Sequence, residues 1–148
     1  MKLAVVGLSM KLPDDINNLD DLYQKLINKT DCVTQHPKDR FNLNKFYDKE
    51  NNIGKMRTLR GGYINNIYDF DNTFFNISKK EAETCDPQQR MMLELVYEAL
   101  LDGKIPKNSI HGSKTGVYMG CCNTEYFCQQ LENSENCNQY SITGGLLT

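Results

Sequence analysis

The sequence predicts an α/β chain. Two short apolar runs, residues 3–7 and 115–120, each close on a glycine, and one long apolar helix signal spans 87–102. A continuous apolar run bounded by turn residues reads as a strand buried on both faces. The first run is Leu3-Ala4-Val5-Val6-Gly7, and the second is Thr115-Gly116-Val117-Tyr118-Met119-Gly120.

Between the two runs the first element is a helix over 19–29. Leu19, Leu22, Tyr23, Leu26 and Ile27 recur at the spacing of one helical face, with Asn17 or Asn18 as the N-cap. Residues 40–78 are rich in aromatics and turn residues without a sustained period. They read as a long ordered excursion with Gly61-Gly62 as a bend. Asp86 is a suitable N-cap, Pro87 suits the first helical position, Gln89 stands three residues after the cap, and Gly103 ends the helix. From Met91 to Leu101 only Glu94 and Glu98 are not apolar. A helix this apolar around its circumference belongs in the middle of a large protein. Two strands and one surface helix are too few to surround it. The elements legible in these residues are therefore expected to be part of a core whose other members are missing.

Composition narrows the function. The chain has 148 residues, a formal charge of −2 and a pI near 5.7, so neither nucleic acid nor an anionic membrane is expected as partner. Leu, Ile, Val and Phe supply about a quarter of the residues, enough for a packed protein. No stretch approaches the ~18 apolar residues of a membrane span. The N-terminus lacks the features of a secretory signal or a transit peptide. A soluble, cytoplasmic protein is expected. The sixteen asparagines are a compositional bias interleaved with apolar residues, not a low-complexity tract.

The cysteines are Cys32, Cys85, Cys121, Cys122, Cys128 and Cys137. Without a secretion signal they are expected to be reduced. The last four follow a C-C-x5-C-x8-C spacing, which lacks the paired C-x2-C steps of zinc sites. Buried, inert thiols are the better expectation, and no metal is expected. His36, in Gln35-His36-Pro37, and His111, in Ile110-His111-Gly112, read as surface turn residues rather than catalytic bases. There is no G-x-G-x-x-G and no Walker pattern.

A set of motifs in order carries a resemblance. They are Val5-Val6-Gly7-Leu8-Ser9-Met10, Asp39-Arg40-Phe41 with Phe46-Tyr47-Asp48, Gly54-Lys55, and Arg60-Gly61-Gly62-Tyr63-Ile64. Phe70-Asp71, Phe74-Phe75-Asn76-Ile77-Ser78 and Asp86-Pro87-Gln88-Gln89-Arg90 follow, then Ser113 to Gly120 and Tyr140 to Gly144. Together they resemble the opening part of the β-ketoacyl synthase domain of type I polyketide synthases, and Asp86 to Arg90 is the most specific of them. Asn76 stands where many relatives have glycine. If that position has positive φ, asparagine is the least costly replacement.

The resemblance implies a thiolase-like α/β fold built from two related halves and acting as a dimer. It implies decarboxylative Claisen condensation. A cysteine thiol takes an acyl chain from an acyl carrier protein, and two histidines assist decarboxylation of a malonyl-type extender. The substrates ride on the phosphopantetheine of the carrier, so no resident cofactor is expected. The implied partners are the acyl carrier protein and a second synthase subunit. The family nucleophile stands in an Asp-Thr-Ala-Cys-Ser-Ser type motif further downstream, and none of the six cysteines has that context. Neither histidine falls in a catalytic motif. No catalytic, cofactor-binding or metal-binding residue therefore carries over. Residues 1–148 are expected to be a partial N-terminal ketosynthase domain, truncated before the nucleophile segment and inactive by itself. The alternative is a non-catalytic protein that docks on or complements a full-length synthase.

Overall fold

In the computed structural model, the described residues are 2–40, 42–50, 52–121, 125–132 and 137–145. The chain divides into two compact units, Met10–Asn66 and Met1–Ser9 with Ile67–Thr148.

In the Met10–Asn66 unit, a tight loop precedes the first helix. A bridge between Leu12 and Ile16 closes it, Asp14 and Asp15 take positive φ (66° and 56°), and Ile16 is buried. Aspartate tolerates this region better than most residues because its short side chain bonds locally. Helix α1, Leu19–Ile27, starts at Asn18, whose side chain accepts from the Asp21 N–H at 2.8 Å. Lys25, in its last turn, pairs with Asp14. The expected apolar face forms, but Leu19, Tyr23, Leu26 and Ile27 are all exposed.

Strand β1, Thr34–Gln35, pairs antiparallel with β2, Arg60–Gly61, in the register Thr34↔Gly61 and Gln35↔Arg60. Gly61 is thus a strand residue and not the bend expected of Gly61-Gly62. The β-ladder between distant segments overrides the local turn signal. Arg60 ties the ribbon down by donating to the Asp31 carboxylate at 2.6 Å and to the Val33 carbonyl. Helix α2, Leu43–Phe46, and a Tyr47–Met56 bridge order the excursion further, and Arg40 donates to the Ile64 carbonyl at 2.6 Å.

The second unit is helical. Its members are α3 (Lys79–Thr84), α4 (Pro87–Asp102), α5 (Lys107–Ile110), α6 (Glu125–Glu132) and α7 (Ser141–Gly145). Helix α4 has the expected bounds, with Asp86 as N-cap, Pro87 in the first turn and Gly103 as C-cap. An aromatic cluster packs beside it. Phe70 stacks on Phe75 at 5.2 Å, and Phe74 meets Phe75 and Tyr97 edge-on at 4.9 and 4.7 Å. Asn76 takes φ 56°, the conformation in which asparagine substitutes for glycine at least cost.

Two expectations need correction. Residues 3–7 and 115–120 form no strand, and they are not buried; Leu3, Val5, Val6, Val117 and Met119 are exposed and Tyr118 is 96% exposed. A strand needs a hydrogen-bonded neighbour, and no described segment pairs with either run. Helix α4 is likewise not enclosed. Arg90 is its one buried residue among those described, and Leu93, Val96 and Leu101 are exposed.

The first run is nevertheless anchored on α4. A Cβ on Gly7 would stand 2.2 Å from the Ala99 carbonyl oxygen and 2.8 Å from the Gly103 nitrogen. The Leu8 N–H donates to the Asp102 carboxylate at 2.9 Å, and the Ser9 hydroxyl donates to the Leu95 carbonyl at 2.6 Å. Gly7→Ala forces the two backbones apart. It is expected to cost ~1–3 kcal/mol, the usual penalty for overpacking, and to abolish hydrogen-exchange protection at the Leu8 amide. Unchanged protection would refute the close approach.

Candidate functional site

The most buried polar cluster surrounds the turn between α3 and α4, where the most specific sequence motif lies. Thr84, Cys85, Asp86, Arg90, Gln130 and Ser141 are all buried there. Helix α3 begins at Ser78, whose hydroxyl accepts from the Glu81 N–H at 3.2 Å, and ends at Cys85. Asp86 follows at once and opens α4, so the C-cap of one helix and the N-cap of the next are adjacent residues.

Asp86 is only 1% exposed. Its Oδ1 accepts from the Gln88 N–H at 2.7 Å, and the Gln88 side-chain amide donates to both carboxylate oxygens at 3.2 and 3.3 Å. The helix N-terminus presents its unpaired N–H groups to this carboxylate. The cap bonds the residue two positions on, while the Gln89 N–H goes to the Asp86 carbonyl at 2.9 Å. The Asp86 N–H in turn donates to the Gly144 carbonyl at 2.7 Å, joining α7 to the start of α4.

Two further features hold this junction. A Cβ on Gly144 would lie 2.8 Å from the Thr84 carbonyl oxygen and 3.1 Å from the Cys85 Cα, so only glycine allows α7 so near. The Gln130 side chain on α6 donates to the Thr84 carbonyl at 2.8 Å, and the Tyr126 hydroxyl donates to the Glu83 carbonyl at 3.2 Å. Sequence reasoning missed Gln130, and it placed Ser141 in the Tyr140 to Gly144 motif without foreseeing its burial. The burial of both follows from α6 and α7 meeting α3. The Gly144-Gly145 pair was the available sign of close approach.

Arg90 enters the same cluster from the start of α4. It is 9% exposed, and Nη1 donates to the Tyr68 carbonyl at 3.4 Å while Nε has no hydrogen-bond partner among the described residues. Beside it, the Cys85 thiol donates to the Gln89 side-chain oxygen at 3.4 Å. Burial pushes this thiol above its ordinary pKa, against the smaller opposing pull of the Arg90 charge. A thiol held protonated is a poor nucleophile.

The remaining cysteines correct the expectation of buried thiols. Cys121, Cys128 and Cys137 are exposed, Cys32 is half-buried, and Cys85 is the buried one. Cys122 lies outside the described residues. Cys121 donates to the Gln88 side-chain oxygen at 3.2 Å and Cys137 to the Gln130 carbonyl at 3.3 Å. Among the described residues, no three His, Cys, Asp or Glu side chains gather as a metal site would require. His36 also departs from expectation. It is 8% exposed, with its ring edge-on to Tyr63 at 5.2 Å. The β1–β2 pairing places the residue after β1 inside its unit, which a local Gln-His-Pro signal does not reveal. His111 is exposed, as expected of a turn residue, and follows α5. Cys85, the buried thiol, has the Gln89 side-chain oxygen, the Arg90 charge and the Asp86 and Glu81 carboxylates for neighbours. The cluster joins helices.

Known proteins resemble this chain along most of its length. Residues 1–147 match the family model of the β-ketoacyl synthase N-terminal domain. Polyketide synthase 37 of Dictyostelium discoideum is 39% identical over 142 residues, which is 96% of this chain and 5% of that protein. A mycocerosic acid synthase-like polyketide synthase of Mycobacterium tuberculosis is 36% identical over 96% of this chain and 7% of its own length. The chain thus spans less than a tenth of these curated relatives. Among solved structures, an oxazolomycin ketosynthase domain of Streptomyces albus superposes with a TM-score of 0.82 at 30% identity, over 88% of this chain and 23% of that one. The ketosynthase from module 6 of the bacillaene synthase of Bacillus subtilis superposes with a TM-score of 0.56 at 31% identity, over 66% and 16%.

Asp86→Ala removes the cap and leaves the Gln88 N–H unsatisfied in a buried turn. It is expected to lower stability by ~1–2 kcal/mol in urea unfolding, with Asp86→Asn recovering part of the loss. In timed alkylation at about pH 8, below the ordinary thiol pKa, Cys121, Cys128 and Cys137 are expected to react well before Cys85. Because the folded thiol has the higher pKa, the stability Cys85 contributes is present below the ordinary thiol range. It falls as pH rises through that range, where the unfolded chain ionises first. A Cys85→Ala variant should lose part of this alkaline sensitivity. Equal alkylation rates at all four sites would overturn the assignment.

Proposed function

The chain belongs to the β-ketoacyl synthase N-terminal domain family, and on that premise we propose that residues 1–148 supply the N-terminal part of the condensing domain of a type I polyketide synthase. The family match across residues 1–147 carries this reading. In the reaction proposed for the whole domain, an acyl group on the phosphopantetheine of an acyl carrier protein passes to a cysteine thiol. The carrier thioester bond breaks, and an enzyme thioester forms. A malonyl-type extender loses carbon dioxide, its carbanion attacks that thioester, and the cysteine leaves as thiolate. No resident cofactor or metal takes part, and the setting is cytoplasmic. The synthase acts as a dimer with the carrier protein as partner.

Residues 1–148 contribute scaffold to this chemistry rather than reacting groups. They contain no Asp-Thr-Ala-Cys-Ser-Ser type segment, and burial pushes the Cys85 thiol above its ordinary pKa. Incubation of the 148-residue protein with acyl- and malonyl-carrier thioesters is expected to leave every cysteine unacylated by intact mass and to release no carbon dioxide. An acyl adduct accompanied by a β-ketoacyl product would overturn this reading.

A second reading has its own support. Leu3, Val5, Val6, Val117, Tyr118 and Met119 expose apolar side chains on backbone outside any sheet, and Leu93, Val96 and Leu101 expose part of α4. Exposed apolar surface of this kind seeks a partner. In this reading the chain is a non-catalytic component that complements a synthase. Mixing it with a separately produced remainder of a ketosynthase domain is expected to yield a stable 1:1 complex by light scattering, with Val117→Asp and Val5→Asp weakening it. Two separate species at micromolar concentration would count against complementation.

A further inference from the structure

We draw no further inference here: the strongest candidate, the exposed apolar face of α1 formed by Leu19, Tyr23, Leu26 and Ile27, carries nothing because nothing in the structure shows what covers it.

Discussion

The carboxylate of Asp86, closed off from water at the joint between two helices, is the constraint on which the helical unit depends. A buried carboxylate is tolerated only where donors meet it. Here the donors are the backbone and side chain of Gln88, and the cap sets where α4 begins. The same residue's N–H reaches the Gly144 carbonyl, so one residue places α7 and α4 together. Gly144 permits this approach and Gln130 adds a strut from α6 to the Thr84 carbonyl. A motif that reads in sequence as a helix start is thus also a joint among four helices, α3, α4, α6 and α7.

Helix α4 serves as the floor for the first apolar run. Gly7 against Ala99 and Gly103, Leu8 on Asp102 and Ser9 on Leu95 form a series of contacts along its C-terminal half. The upstream side chains, Leu3 to Val6, gain nothing from it and stay exposed. Apolar burial near 25 cal/mol per Å² is the main source of folding free energy, and these residues forgo most of theirs. The match to the oxazolomycin ketosynthase domain, at a TM-score of 0.82, takes in 23% of that chain.

Much of the local structure is legible without coordinates. A cap at Asn17 or Asn18, which the structure settles as Asn18, Asp86 as the cap of α4, Pro87 in its first turn and Gly103 at its end are all local matters of hydrogen bonding and backbone sterics. Family membership is legible too, because motifs in fixed order survive where single residues do not. The candidate site is half legible. The Asp86 to Arg90 motif is evident, but Gly144, which bonds Asp86, and the buried Gln130 and Ser141 stand far along the chain, on α6 and α7.

What the sequence by itself determined, then, is where α1 starts, where α4 starts and stops, and which family the chain belongs to. Tertiary structure alone decided which residues are inside. His36 reads as a surface turn residue and is buried by the β1–β2 pairing; Leu3 to Val6 and Val117 to Met119 read as buried and are exposed. Capping depends on neighbours a few residues away, and the chain always supplies them. Burial and strand formation depend on neighbours distant in sequence, and an apolar run specifies its need for them without supplying them.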